Sequence, residues 1–437
     1  MRKGPGRDIY RRLGEKIDGL TARTPWNETF HAILKELYTP EEADIVARMP
    51  FTLSSVERIS KTTGVEEVRL RNILEGLCSK GLVLDIWNER DNRYCYMPCP
   101  LVIGIFEFTM MRTGSGLGTK RWAELFHDYF SSVFPANFSK GEKASILRVI
   151  PVEETIRVDA GTEFLDFEKA TSIIEDSKRY AIGLCSCRNE KLHIGKKECD
   201  APVEGCSMFG IGADYMIRHG LAREVSKSEM FDNFARSKEH GLVLCAYNTK
   251  SSPIAVCHCC KCCCNYLSGL GTFGYTNAVI TSNFMATVDE GLCTGCGKCI
   301  KACPMNAASL LPLDDSPGAK KKKKARVNRN ICIGCGVCSM KCPSQAVRMV
   351  RREKRTIPPE TLFEATLLAA LERGNLQNQL FDNPQSVTQE FMRTFVGAFL
   401  RLEPVKKALL SDMLRSSFLS FMKKGAALQG KGWITEL

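Results

Sequence analysis

One spacing of cysteines occurs twice and restricts this chain more than any other feature. Cys293, Cys296 and Cys299 stand three residues apart, and Cys303-Pro304 follows. Cys332, Cys335, Cys338 and Cys342-Pro343 repeat the pattern. Both copies read C-x2-C-x2-C-x3-C-P. Three thiolates at that interval on a tightly curled loop can face one metal centre. Gly295, Gly297, Gly334 and Gly336 fall inside the two loops. Glycine permits positive φ, so successive N–H groups can turn inward toward an anion. Zinc ribbons use two Cys-x-x-Cys pairs joined by a longer loop and do not need this spacing.

The pattern resembles the bacterial two-cluster ferredoxin domain over residues 288 to 350. The resemblance implies two [4Fe–4S] clusters. In that family the fourth cysteine of each run serves the other cluster. Carried over, one cluster takes Cys293, Cys296, Cys299 and Cys342. The other takes Cys332, Cys335, Cys338 and Cys303. Pro304 and Pro343 are expected to start short helices after the last ligand. The 28 residues between Cys303 and Cys332 make a longer link than compact members have. That link contains Lys320 to Lys324, read as a solvated loop.

The chain has 22 cysteines among 437 residues, too long a chain to need disulfide staples. Met1-Arg2-Lys3-Gly4-Pro5-Gly6 begins no apolar signal core, and no apolar run is long enough to span a bilayer. A cytoplasmic, metal-binding use of cysteine is therefore expected. Eleven cysteines lie between Cys185 and Cys264. They comprise Cys185-Ser-Cys187-Arg188, then Cys199 and Cys206, then Cys245. The block Cys257-His258-Cys259-Cys260-Lys261-Cys262-Cys263-Cys264 closes the group. Thiols this dense favour a further iron–sulfur cluster, with zinc as the alternative. Neighbours on an extended chain point to opposite faces. Cys257, Cys259 and Cys263 are assigned to one side, and Cys260, Cys262 and Cys264 to the other. Cys185, Cys187, Cys199 and Cys206 complete one site. His258 is either a ligand or a hydrogen-bonding neighbour. Arg188 and Lys261 are placed to neutralise cluster charge. Cys78, Cys95 and Cys99 are read as packing residues.

Residues 38 to 97 have a distinct order. Thr39-Pro40-Glu41-Glu42 opens a helix, and Ser54 or Ser55 caps a second that Gly64 ends. A third runs from about Val65 to Lys80 with Val68, Ile73 and Leu77 as its apolar face. Strands from Leu82 to Ile86 and Tyr94 to Met97 follow. This order resembles a winged helix-turn-helix module. Its functional reading is DNA binding and its plain reading is a docking module. Residues 51 to 97 carry seven basic and seven acidic residues. Duplex binding needs an excess of positive charge, so DNA is a poor fit as a partner.

Further along, Leu101 to Phe108 is expected as a strand, Lys120 to Val133 as an amphipathic helix, and Gly114 to Gly118 as a loop. Tyr180 to Leu184 is expected as a strand, Ser207 to His219 as a helix, and Ser226 with Glu229 as the cap of a helix to His240. A strand from Leu242 to Ala246 leads to the cysteine block. The C-terminal region reads as helices broken near Gly374, Asn383-Pro384 and Pro404. Phe391 to Leu400 and Val405 to Met422 are amphipathic and basic. They suit a helix packed on the protein itself or peripheral membrane contact.

The expected fold class is α+β and multidomain. Residues 1–112 form a winged-helix-like module and 113–180 a mixed connecting region. Residues 181–287 form an α/β cysteine-rich domain, 288–356 a two-cluster ferredoxin domain, and 357–437 a helical tail. Residues 291 to 356 hold 15 basic and 3 acidic residues, and the whole chain has a net charge of +12. Two oxidised cubanes with four thiolates each contribute about −4, which leaves this segment positive. An acidic redox protein or oxidoreductase subunit is the expected partner. The order of motifs also resembles multidomain 4Fe-4S ferredoxin-type proteins of anaerobic bacteria. Electron transfer by a non-catalytic carrier or an oxidoreductase subunit is the function implied. A redox-sensing regulator and a reductase with a substrate-binding central cluster are the alternatives.

Overall fold

The computed structural model describes residues 8–132, 144–157, 163–273, 279–312 and 323–437. The N-terminal part begins with helices Ile9–Asp18 and Glu28–Leu37. Helix Pro40–Arg48 follows, held by a full capping box in which Thr39 and Glu42 satisfy each other's backbone N–H groups. Ser55 caps helix Val56–Thr63, and Gly64 ends it at φ +72°. The next helix is Glu67–Ser79, capped by Glu66. Its buried face is Leu70, Leu74, Leu77 and Cys78. Val68, expected on that face, is 68% exposed, because the core contact follows the 70, 74, 77 stripe. Strands β1 (Val83–Asn88) and β2 (Arg93–Pro98) then pair antiparallel.

The segment Leu101 to Phe108 is not a strand. An irregular turn at Leu101–Ile105 leads into helix Phe106–Met111. The Glu107 side chain accepts from the Gly104 N–H and secures the start of that helix. A short buried apolar run fits either state, and here packing chose the helix. Helix Thr119–Ser132 follows a loop containing Gly114 to Gly118.

The middle of the molecule is a seven-stranded sheet. Its strands are β3 (Leu147–Ile150), β4 (Tyr180–Leu184), β5 (Glu204–Phe209), β6 (Ala222–Glu224), β7 (Val243–Tyr247), β8 (Ala255–Cys259) and β9 (Val279–Ile280). The spatial order is β6-β4-β5-β8-β7-β3-β9. Every pair is antiparallel except β3 with β9. Residues 113–180 thus contribute β3 to the same sheet as residues 181–287. Ser207 to Phe209, expected as helix, lies inside β5, because β4 and β8 flank it and use its backbone groups. The helix begins only at Gly210 and runs to Arg218. Ser226 caps helix Lys227–Glu239.

Beyond the sheet, β10 (Phe284–Val288) pairs with β13 (Val347–Arg351), and β11 (Ala308–Pro312) pairs with β12 (Lys323–Val327). Lys323 and Lys324 are therefore strand residues rather than loop, since β11 supplies their ladder. Lys320, Lys321 and Lys322 lie outside the described residues.

The tail forms helices Leu362–Arg373, Leu376–Leu380, Val387–Leu400, Glu403–Leu409 and Arg415–Leu428. Val405 to Met422 spans two helices. Phe391, Phe395 and Phe399 are exposed along one face of Val387–Leu400. No described helix is long and apolar enough to cross a membrane. The tail is tied to the N-terminal part through Asp382, which is almost fully buried. Its carboxylate accepts from Arg58 Nη2 at 2.6 Å and Lys431 Nζ at 2.7 Å. Its backbone carbonyl accepts from the Phe51 N–H at 2.9 Å. Burial alone would raise the Asp382 pKa, but Lys431 and Arg58 hold it down at about 2. Asp382→Asn leaves two cations without their counter-ion. We expect a loss of about 3 kcal/mol in tail docking, read as faster proteolysis after residue 357 and a lower Tm.

Candidate metal centres

The two repeated loops have the same local form. Asp289 and Asn328 carbonyls accept from the Cys293 and Cys332 N–H groups at 3.0 Å each. Gly295 and Gly297 both have φ +73°, and Gly334 and Gly336 have +74° and +80°. At two of them space is also decisive. A Cβ on Gly295 would stand 2.2 Å from the Lys323 carbonyl oxygen, and one on Gly334 would stand 2.1 Å from that of Phe284. Gly297 and Gly336 are the caps of helices Lys298–Ala302 and Val337–Met340. These helices precede the last cysteine of each run. Pro304 and Pro343 open turns instead of helices, since Asn306 and Gln345 just beyond take φ +54° and +53° and lead into the next strands.

The sets named from the sequence meet crosswise. One cavity is lined by Cys293, Cys296, Cys299 and Cys342, and a second by Cys303, Cys332, Cys335 and Cys338. Their volumes are about 290 and 360 Å³, counted to the open mouth. Thiols, a few apolar side chains and inward N–H groups line both. The Ala325 N–H points at Cys293 Sγ at 3.4 Å, and the Ala307 N–H at Cys303 Sγ at 3.2 Å. This donor set fits a cluster of soft, thiolate-bound iron.

The two cavities differ in exposure. Cys296 is exposed and Cys342 half-buried, while Cys303, Cys332, Cys335 and Cys338 are buried. Burial opposes a thiolate at Cys342, yet the Val347 N–H and the Ser344 hydroxyl outweigh it and lower the pKa. Burial pushes Cys338 up to about 12 and Cys335 up as well. A centre in the second cavity must supply the positive charge that keeps its thiolates deprotonated.

The central cysteines form two groups rather than one pooled site. Sheet register makes the first. Cys245 pairs with Cys257, and Val243 with Cys259, so all four side chains share a face. Ser207 opposite Val256 puts Cys206 on that face as well. Cys206 stands beside Cys257, Cys257 beside Cys259, and Cys259 beside both Cys245 and Cys264. Cys264 in turn reaches Cys187 from the helix Ser186–His193. Cys185 stands beside this arc, its thiol pushed up to about 12 by burial. Tyr266 and Glu107 close one end, with 2.9 Å from the phenol oxygen to the carboxylate. Burial raises the Glu107 pKa to about 7.

The second group is Cys199, Cys260, Cys262 and Cys263, whose four Sγ atoms all lie within 4.8 Å of one another. The expected sides therefore exchange two members. Cys263 leaves Cys257 and Cys259, and Cys264 joins them. Alternation holds only to Cys259, the last residue of β8, and a turn then reorients the chain. Cys199 likewise separates from Cys185, Cys187 and Cys206. Cys245 stands alone in the sequence, without a spaced partner, and the β7–β8 register places it on this face.

His258 is no ligand to either group. It faces the opposite side of the sheet, where Ser207 Oγ lies 2.8 Å from Nε2 and Ser237 Oγ lies 2.6 Å from Nδ1. Burial, then Arg188, lowers its pKa to about 3, so the ring is neutral. Arg188 is buried between the groups, and its Nη1 donates to the His258 carbonyl at 2.6 Å. Burial works against its charge, but Cys185 and Cys260 outweigh that and raise its pKa. Lys261 points away and donates to Asn306 Oδ1 at 2.6 Å. A further group, Cys78 with Asp85 and His219, also has close ligand atoms. Its carboxylate is already committed to Arg218 at 2.7 Å and His219 at 3.0 Å.

The glycines give a direct test of the cavities. Gly334→Ala should purify with about four fewer irons per chain, because the Phe284 carbonyl blocks the new methyl group. Gly297→Ala has only Leu310 Cδ1 nearby, at 3.7 Å. It costs about 1–2 kcal/mol for positive φ and should keep its iron. Equal iron in both variants would contradict this reading.

Residues 292–356 match the 4Fe-4S dicluster domain family. No curated protein matches the chain at a significant level. The family match and the grouped cysteines together indicate iron–sulfur binding within this segment.

Proposed function

We propose that this chain is an iron–sulfur electron-transfer protein with two [4Fe–4S] clusters in the dicluster segment and a further cluster in the buried arc. The observation that carries this reading is the crosswise convergence of eight cysteines on two cavities. Cubanes supply one-electron chemistry. The chain's part is to hold eight thiolates in place, exclude water and aim N–H groups at sulfur. Cys185, Cys187, Cys206, Cys245, Cys257, Cys259 and Cys264 are the ligand candidates for the further cluster.

Exposure orders the path. Cys296 is open to solvent, so a partner meets the molecule at that set. Lys298, Lys301, Lys323 and Lys324 lie in the same segment, which favours an acidic redox protein or oxidoreductase subunit. The second cavity faces inward. Lys341 Nζ donates to the Glu239 carbonyl at 2.9 Å, and the Val152 N–H to the Cys335 carbonyl at 3.0 Å. Both contacts tie it to the central domain.

The helices Pro40–Arg48, Val56–Thr63 and Glu67–Ser79 with the β1–β2 hairpin are read as a winged-helix-like docking module. DNA binding is not part of the proposal, because most cations there are paired. Arg69 contacts Glu41 and Lys80 contacts Glu42, while Arg93 contacts Glu57 and Asp91.

The test is anaerobic purification with iron and sulfide counting and EPR of the reduced protein. The dicluster segment alone accounts for about eight irons and eight sulfides, and a loaded arc brings the total to about twelve or more. Reduction should give the broadened signal of two interacting clusters. Iron without matching sulfide, or no signal on reduction, would overturn the proposal.

A further inference from the structure

We propose that Cys199, Cys260, Cys262 and Cys263 form a closed, tetrahedral zinc site, separate from every iron–sulfur centre. The inference stands apart from the electron-transfer reading and does not depend on it.

Spacing carries the argument. Four sulfurs bound to one zinc at about 2.3 Å stand about 3.8 Å apart in a tetrahedron. Here Cys199 Sγ and Cys263 Sγ are 3.9 Å apart, Cys262 and Cys260 4.0 Å, and Cys262 and Cys263 3.5 Å. All four fall within 4.8 Å of one another. A cluster of four irons needs room between its thiols, and these sulfurs leave none. The dicluster cysteines instead surround cavities. The arc is strung along a sheet face as successive pairs.

The chemistry of the group also fits. It holds four sulfur ligands and no oxygen or nitrogen ligand, a set that closes the coordination sphere and leaves no position for substrate. Four thiolates on one divalent ion leave about two negative charges. Arg188 lies beside Cys260, and Lys197 Nζ donates to the Cys199 carbonyl. Both offset that charge.

The local fold has a use for such a staple. Residues 195–203 run between helix Ser186–His193 and β5 with no regular structure. Cys199 sits in this loop, and the other three sit in the turn after β8. An ion would join the two segments across the 60 residues of chain between Cys199 and Cys260. The joined surface is where Lys261 meets Asn306, three residues past Cys303. Zinc here fixes the seam between the central sheet and the inner dicluster cavity.

The test uses the full chain, purified without oxygen and without added metal. Elemental analysis should give about one zinc per chain. X-ray absorption at the zinc edge should show four sulfurs at about 2.3 Å. Cys263→Ser should lose the zinc and keep wild-type iron and sulfide. Cys332→Ala should lose iron and keep the zinc. Wild-type protein without zinc, or zinc with nitrogen or oxygen neighbours, would overturn the proposal even if Cys263→Ser fails to fold. So would loss of zinc in Cys332→Ala, or loss of iron and sulfide with zinc retained in Cys263→Ser.

Discussion

A buried thiolate is expensive, and the structure is arranged around that cost. Cys335, Cys338, Cys185 and Cys187 sit in surroundings that push their pKa values up. Metal ligation requires the deprotonated form, so a bound cation must supply what the surroundings withhold. Arg188 is a cation buried among the cysteine groups, and it stands between them. The order of each cysteine group is therefore coupled to its own loading. The N-terminal helices differ. Their core is Leu13, Ile17, Phe30, Leu34, Leu70 and Leu74, with no thiol centre to fill.

That coupling explains how the parts are joined. The dicluster segment is tied to the chain after β3 by a backbone carbonyl of one of its ligand residues. The Cys335 carbonyl accepts from the Val152 N–H, while within the segment the Cys332 carbonyl accepts from Arg352 Nη2 at 2.5 Å. A displaced ligand would disturb these contacts directly. The tail docks on the N-terminal part through Asp382, Asn375 and Asn378, and its start also meets the β7–β8 connection, where the Pro359 carbonyl accepts from the Lys250 N–H at 2.7 Å.

The readable parts of this fold were those set by local geometry. The C-x2-C-x2-C-x3-C spacing fixes three thiols on one loop, and the crosswise fourth ligand came with the ferredoxin resemblance. The Thr39 capping box, the Gly64 stop and the Ser226 cap are equally local, and each stands where the sequence put it. What was not readable depended on pairing between distant segments. Leu101 to Phe108 has a strand's composition, but Glu107 and the surrounding core make it helical. Cys245 joins the arc only through its register with Cys257. Cys263 and Cys264 are adjacent, yet they serve different groups because β8 ends at Cys259 and the chain turns. Alternation along a strand is a sound rule, and it fails where the strand stops.

The central claim is that the eight dicluster cysteines are shared crosswise between two cubanes. Anomalous diffraction at the iron edge from crystals of anaerobically purified protein tests this most directly. The account predicts two compact four-iron peaks. One should be surrounded by Cys293, Cys296, Cys299 and Cys342, and the other by Cys303, Cys332, Cys335 and Cys338. A peak ligated by Cys293, Cys296, Cys299 and Cys303, or a single peak in the segment, would contradict it.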